Sequence, residues 1–276
     1  MAKDIIIGID AGTSILKVVA FTLNGKEIAS SSIKNIYKTS QGGQATQSLE
    51  ATWKNCIKII SELKNKINNF KDRVAIISVT GQGDGTWLID KKGKPVCDAW
   101  LWLDSRSSDI VKKLSKLNSE KFRFDLTGTG IFAGQQSSQI SYMDKNNPEI
   151  LDQSSTAFHC KDWIYFKLTN VRAKDPSEAC FTFGNFRTRQ YDENVINGLG
   201  LSKRKNLLPD IIDGSKVTHP LSDNVATLIG LNSGTPIALG YIDAVCTFLG
   251  SGGLDINKDV GNSILGTTGG HMKATD

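Results

Sequence analysis

Asp4-Ile5-Ile6-Ile7-Gly8-Ile9, then Asp10-Ala11-Gly12-Thr13-Ser14, then Ile15-Leu16-Lys17-Val18-Val19-Ala20-Phe21, is the stretch on which the fold turns. The first run is β-branched in the manner of buried strands and the last is β-rich again. Behind them stands Asn24-Gly25, the strongest two-residue hairpin signal. The small-residue turn therefore joins strand to strand. The two commoner glycine-rich phosphate loops instead open onto a helix N-terminus and read GxGxxG or GxxxxGK[ST], and this turn has neither pattern.

Such a turn leaves the backbone N–H groups of Gly12, Thr13 and Ser14 unshielded, and consecutive N–H groups make an anion-binding concavity. A phosphate chain suits that place, with Asp10 at the strand end holding a hydrated Mg²⁺ through its carboxylate. The other reading is an ordinary tight hairpin in which Gly12 supplies φ > 0 and Asp10 caps the turn. The turn alone leaves both open.

A length of 276 residues allows two domains, or one large domain with a fragment of another, and 39% hydrophobic residues suffice for a full core. The net charge of +5 comes from lysines scattered over helices and turns, as in Lys91-Lys92-Gly93-Lys94. A nucleic-acid footprint would need clustering with base-stacking aromatics, so no nucleic-acid partner is expected. The cysteines Cys56, Cys97, Cys160, Cys180 and Cys246 contain no CxxC pair and mostly fall in apolar stretches, which points to reduced thiols packed as small hydrophobes. The N-terminus enters a strand without an apolar leader, and no run reaches membrane-spanning length. A cytoplasmic protein with no membrane partner is the expectation.

Along the chain, a third strand is predicted near Lys26–Ile33, and a polar stretch through Gln41-Gly42-Gly43-Gln44 leads into a helix. Leu49, Trp53, Cys56, Ile57, Ile60, Leu63 and Ile67 give that helix one apolar face, with Trp53 in the core. Val74–Val79 reads as a buried strand ending in Thr80-Gly81-Gln82-Gly83-Asp84-Gly85, a carboxylate-bearing loop where open α/β sheets place ligands. Thr86–Asp90 and Val96–Leu103 form a hairpin about the Lys91–Lys94 turn, and a helix follows from about Ser108 to Leu117. From Thr127 to about Phe186 the pattern is helical and irregular, firmest at Lys161–Leu168. Pro236–Tyr241 returns to strand, Asp243 stands at the passage into a helix over Ala244–Leu249, and Ser251-Gly252-Gly253 reads as a boundary. Ser263–Gly270 then begins a second strand-turn pattern with few residues left, so the chain reads as unfinished. His159, His219 and His271 share no metal-ligand spacing, and no metal is assigned to them.

Several motifs in order resemble one family. They are Gly8–Thr13 with Lys17, Gln47–Trp53, Thr80–Asp90, Trp102-Leu103-Asp104-Ser105-Arg106, Lys161-Asp162-Trp163 with Leu168-Thr169, and Gly240-Tyr241-Ile242-Asp243-Ala244. This is the order of the FGGY carbohydrate kinases, and the resemblance spans essentially the whole chain. It implies an α/β, actin-like (ribonuclease H-like) ATPase domain with a mixed sheet flanked by helices. Residues 1–252 would be the N-terminal substrate- and phosphate-binding domain, and 253–276 the first hairpin of an incomplete C-terminal domain. The implied activity is ATP-dependent phosphorylation of a polyol or ketose hydroxyl, with ATP and Mg²⁺ as cofactors. Partners would be the small-molecule substrate and the missing C-terminal kinase domain, with a homodimer left open. The adenosine-binding segment lies in that second domain, so this segment alone is expected to be inactive.

Within the family, Thr80–Trp87, Trp100–Asp104 and Thr127-Gly128-Thr129-Gly130 are most similar to erythritol kinases and the L-xylulose-type branch. Where Gly83-Asp84 stands, many xylulose kinases carry Met-His and glycerol kinases Arg-Glu. Asp84 keeps the carboxylate without the arginine.

The resemblance implies roles that compete with plainer ones. Asp243 matches the family's catalytic aspartate, a base ionised at neutral pH and kept so at a helix N-terminus. On spacing alone it reads first as an N-cap, a very common use of Asp at such a junction, and the resemblance reverses that reading. Ala244 stands where the family has a glutamine. Gly12, Thr13, Ser14 and Lys17 resemble the first phosphate turn, with Asp10 as the metal ligand, although Lys17 also reads as an exposed strand lysine. Gly266, Thr267 and Thr268 resemble the second phosphate turn. Gln82, Gly83 and Asp84 would bind substrate hydroxyls, against a purely loop-shaping role for Asp84. Asp104, counted on the substrate side, reads as an ion pair with Arg106 bracing the site floor. Two other functions stay open: a non-catalytic polyol-binding or scaffolding module, and an actin- or Hsp70-like ATPase, against which the Gln82–Asp84 and Trp102–Arg106 motifs argue.

Overall fold

The computed structural model describes residues 3–255, 260–265 and 269–275. β1 (Ile5–Ala11) and β2 (Ile15–Thr22) pair antiparallel across the opening turn, with Asp10 opposite Lys17. β3 (Glu27–Lys34) continues antiparallel beyond Asn24-Gly25, where Gly25 takes the left-handed φ of 84° that such a turn needs. Ile5, Ile7, Ile9 and Ala11 are fully buried. Burying an isoleucine side chain stabilises by roughly 1.5–3 kcal/mol, so the alternation of β1 anchors the sheet.

On its other side β1 takes β4 (Val74–Gly81) in parallel, and β4 takes β5 (Pro236–Leu239) in parallel. His219–Pro220 closes that edge antiparallel, giving the order His219–Pro220, β5, β4, β1, β2, β3. A mixed sheet in which β2 and the His219–Pro220 edge run against the other strands, flanked by helices, is the ribonuclease H-like core of an actin-like domain. A parallel pair needs a crossover, and α1 (Leu49–Lys64) provides one between β3 and β4. Ser48 caps it by accepting from the Ala51 N–H at 3.3 Å, and Leu49, Trp53, Cys56, Ile60 and Leu63 form its buried stripe as the spacing predicts. The helix stops before Ile67, which is buried in the loop that follows.

The polar stretch before α1 is more ordered than its composition suggests. Lys38–Ser40 and Gln44–Gln47 form a hairpin, with Gly42 and Gly43 at φ 82° and 80°, and Gln44–Gln47 also pairs with Ala99–Trp100. Only Ala45 and Gln47 point inward there, so no apolar alternation marks the strand. The expected hairpin about Lys91–Lys94 is present: the Val96 N–H donates to Leu88 O at 3.0 Å, and Thr86 and Trp100 exchange backbone bonds. Trp87–Ile89 also pairs with Thr156–Phe158, which the sequence does not reveal.

The irregular middle resolves into α2 (Gln136–Asn146), a short helix at Pro148–Gln153, α3 (Cys160–Thr169) and α4 (Pro176–Phe183). α5 (Asp243–Gly250) follows β5. Gly261–Leu265 and Gly269–Lys273 form a hairpin that, among the described residues, pairs only with itself. The expected turn at Gly266, Thr267 and Thr268 lies outside the described residues. All five cysteines are free thiols, buried or half-buried. No helix among the described residues is long and apolar enough to cross a membrane.

Candidate active site

The parallel strands β1, β4 and β5 all run toward the same edge of the sheet, and three loops leave their C-terminal ends there. A cavity of about 390 Å³ opens at that edge. The first loop contributes Asp10 and Thr13, the second Gln82, Gly83 and Asp84, and the third Ile242, Asp243 and Ala244. Trp102, Phe132 and Thr247 add to the wall, and Ile264, Gly269 and Gly270 of the C-terminal hairpin close it.

In the first turn Gly12 does not take positive φ, so the tight-hairpin reading of that glycine is wrong. Glycine is required for a different reason: a Cβ there would lie 2.7 Å from Ile15 O. Asn35 holds the turn from behind, its Nδ2 donating to Gly12 O at 3.0 Å and its N–H to Ser14 O at 2.8 Å. Among the described residues the N–H groups of Gly12, Thr13 and Ser14 donate to nothing, which is the state of an anion-binding nest. Thr13 Oγ1 donates to Gln82 Oε1 at 2.9 Å and accepts from Trp102 Nε1 at 3.0 Å. Ser14 and Lys17 are exposed and do not line the cavity.

Gln82 lines the cavity but is committed to protein partners, since its Nε2 also donates to Gln47 Oε1 at 2.9 Å. Asp84 is different. It is 8% exposed, its backbone sits in the left-handed region at φ 53°, and its Oδ1 has no hydrogen-bond partner among the described residues. Burial pushes its carboxyl up to about 7, against the pull of the Gln136 N–H and Lys174. A buried carboxylate oxygen without a partner is under-satisfied, and the residue that carries it lines the cavity.

Asp243 is the first residue of α5, with Ile242 in the N-cap position, and its Oδ1 accepts the Ala244 N–H at 2.7 Å. Its place at the helix start agrees with expectation. Its acidity does not, because burial raises it to about 6, with Asp10 adding to the rise. Burial outweighs the helix terminus here. Asp10 is also raised, chiefly by burial, and Lys17 across the hairpin works against that. Asp10 and Asp243 line the same cavity, and carboxylate oxygens are the kind of ligand that Mg²⁺ takes.

Asp104 does not line this cavity. Its carboxylate holds Arg106 at 2.7 Å and accepts the Ala45 N–H at 2.9 Å, while the guanidinium stacks 3.2 Å over the Trp100 ring. The expected Asp104–Arg106 pair therefore exists, as a brace joining the Gln44–Gln47 strand to the loop after Trp102.

Beneath the Asp84 loop lies a cluster of buried charge that sequence reading missed. Lys161 Nζ lies 2.8 Å from Asp162, 2.5 Å from Asp175 and 3.0 Å from Glu178. His159 Nδ1 reaches Asp162 at 3.3 Å and Glu178 at 3.2 Å, and Lys174 Nζ donates to Gln136 Oε1. Burial works against the Lys161 charge, but the three carboxylates outweigh it and hold its pKa well above the usual range. Burial drives His159 down to about 3 and Glu178 well up. His159, Asp162 and Glu178 are close enough for a metal, yet the Lys161 ammonium already supplies the positive charge among them. The signal was present as two Lys-Asp dipeptides, Lys161-Asp162 and Lys174-Asp175, set in apolar surroundings.

Residues 5–250 match the model of the FGGY family of carbohydrate kinases, N-terminal domain. The chain is 53% identical over 271 residues to the erythritol kinase of Brucella abortus (strain 2308), covering 98% of this chain and 52% of that protein. It is 25% identical to the L-xylulose/3-keto-L-gulonate kinase of Escherichia coli (strain K12), covering 95% and 52%. Its fold is similar to a ligand-bound xylulose kinase from Lactobacillus acidophilus, with a TM-score of 0.87 at 24% identity over 98% of this chain and 53% of that one. The chain spans about half the length of the curated relatives it matches. On its sheet order, its cavity and the match over residues 5–250, this chain belongs to the FGGY family of carbohydrate kinases.

Proposed function

We propose that this chain is the substrate- and phosphate-binding half of an ATP-dependent kinase acting on a small polyol or ketose, with erythritol first among candidates. The observation that carries the reading is that Asp84, buried, and Asp243, half-buried, two carboxylates of raised pKa, line one cavity at the C-terminal ends of parallel strands. Phosphoryl transfer asks for positioning, charge stabilisation and a base. Asp243 is that base: it takes the proton of the reacting hydroxyl as that oxygen bonds to the transferred phosphorus. Asp84, a lining residue of the cavity, accepts from the substrate's other hydroxyls through its carboxylate. Trp102 and Phe132 give the cavity an apolar wall for the carbon chain.

ATP would supply the phosphoryl group, its terminal phosphoanhydride bond breaking as the new bond forms so that ADP leaves, and Mg²⁺ would neutralise the charge. The free N–H groups of Gly12, Thr13 and Ser14, with Lys17, would hold phosphate oxygens, and Asp10 would hold the hydrated metal. Gly266, Thr267 and Thr268, which lie outside the described residues and in sequence resemble a second phosphate turn, and a C-terminal domain carrying the adenosine site would complete the reading. The 53% identity to an erythritol kinase supports a four-carbon polyol, as does Asp84 without a preceding arginine.

The test is the full-length gene product assayed with ATP and Mg²⁺ on erythritol, L-xylulose, D-xylulose and glycerol. Turnover on erythritol well above the rest is expected, and absence of turnover on all four would overturn the kinase reading in favour of a binding module. The 276-residue chain alone is expected to bind the polyol with little or no turnover.

A further inference from the structure

Two of the three cavity carboxylates, Asp84 and Asp243, sit on loops tied to one short turn, Asp175-Pro176-Ser177-Glu178, at the start of α4. Glu178 Oε1 accepts the backbone N–H of Asp84 at 2.7 Å. Ser177 Oγ accepts the backbone N–H of Ile242, the residue before Asp243, at 3.0 Å and donates to Asp175 Oδ2. The same Asp175 oxygen accepts the Ser177 N–H at 2.7 Å. The turn is itself pinned from below, because Lys161 lies within ion-pair distance of both Asp175 and Glu178. Neither Ser177 nor Glu178 lines the cavity.

We infer that this turn is the positioning element of the site, with Glu178 fixing Asp84 and Ser177 fixing Asp243 through the backbone of the loops that carry them. The inference rests on the kinase reading above and adds to it two residues that touch no substrate. Asp84 has a left-handed backbone, a conformation an aspartate keeps only where its surroundings over-determine it, and Glu178 supplies that constraint. Ile242 is the N-cap residue of α5, so the bond to its N–H sets where the helix begins and where its first side chain, Asp243, is held. The two residues are adjacent in sequence yet act on different tasks, one on substrate binding and one on proton removal.

That division gives a signature a merely structural turn would not produce. In the full-length gene product, Glu178→Ala should raise the polyol KM about tenfold or more with kcat within about threefold, and Glu178→Gln, which keeps a carbonyl acceptor, should recover most of that loss. Ser177→Ala should lower kcat about tenfold with the polyol KM within about twofold, because a misplaced base costs rate and little ground-state binding, and Ser177→Thr should restore it. The KM for ATP should hold in all four. Parallel changes in kcat and KM for both residues would overturn the inference, as would kinetics unchanged in both alanine variants. Should Glu178→Ala fail to fold, amide hydrogen exchange on the unmodified 276-residue chain decides: Asp84 and Ile242 should exchange as slowly as the β4 strand, and fast exchange at either would refute its tie. If the wild-type protein phosphorylates no polyol or ketose, the kinase reading fails, and the exchange data still decide whether the turn holds the two loops.

Discussion

Gly83 packs against Ile242 so closely that a Cβ on the glycine would overlap the isoleucine's Cδ1 and come within 3.1 Å of Glu178 Oε1. The loop bearing Asp84 and the loop bearing Asp243 are therefore in contact at a position where only glycine fits. Gly83→Ala should destabilise the chain by about 1–3 kcal/mol, the usual cost of an added methyl in a packed place. It should also weaken polyol binding, since the methyl displaces one loop or the other. Thermal unfolding and polyol titration check both, and a variant neutral on each count would show the loops to be free to separate.

Asp84 is held at a cost to stability. Its folded pKa of about 7 lies above the ordinary carboxylate value, so the folded chain binds more protons than the unfolded one between pH ~4 and ~7, and stability falls as pH rises through that window. Asp84→Asn removes the buried charge and should stabilise the unliganded chain at pH 8 by up to about 4 kcal/mol, the equivalent of roughly three pKa units. The gain should shrink steadily as the pH is lowered toward 4. Denaturant titrations at several pH values measure this, and a gain independent of pH would mean that the residue is not buried as a charge.

Asp84→Ala should weaken polyol use by about 1.5–3 kcal/mol, the range for a hydrogen bond to a charged group. A deoxy analogue lacking one hydroxyl has less to lose at this carboxylate, so the loss should be smaller on it. Equal losses on every substrate would reduce Asp84 to a shaper of its loop.

With Asp243 raised to about 6, a base that must be ionised loses function below that pH. The kcat/KM of the full-length protein should fall on the acid side with a midpoint near 6. Asp243→Asn should remove that limb and lower kcat by about 10²–10⁴-fold, typical of losing a general base. If the variant instead keeps kcat and loses only thermal stability, the residue is a helix-start residue and no more.

Lys161 faces three carboxylates in a fully buried setting. Lys161→Met leaves those carboxylates without their cation and should cost about 3–5 kcal/mol, as breaking a buried pair does. The loss should be larger than that of any exposed pair, such as Lys112–Asp109, whose removal should cost no more than about 1 kcal/mol. Melting curves of the two variants side by side test the contrast.

The sequence by itself determined the sheet and the three loops. The β-branched runs in Asp4–Phe21, the Asn24-Gly25 turn and the apolar stripe of α1 are local patterns, and burial enforces them whatever else the chain does. Asp10 and the Gln82–Asp84 loop stand at strand ends, where such sheets place ligands, and the resemblance to the FGGY kinases adds Asp243, which spacing alone reads as an N-cap. What only the tertiary structure decided were relations between segments far apart in the chain. Asp104 and Arg106 brace a neighbouring strand, and Gln82 spends its amide on Thr13 and Gln47. The Gln44–Gln47 strand exists because Ala99–Trp100 is there to pair with it. The acidity of Asp243 runs opposite to what its helix start suggests, because desolvation depends on everything packed around a group and no local pattern encodes it. For the same reason nothing local in the sequence joins Lys161, which stands in the Lys161-Asp162-Trp163 motif, to Asp175 and Glu178, and only their convergence in space makes them the foundation under the Asp84 loop.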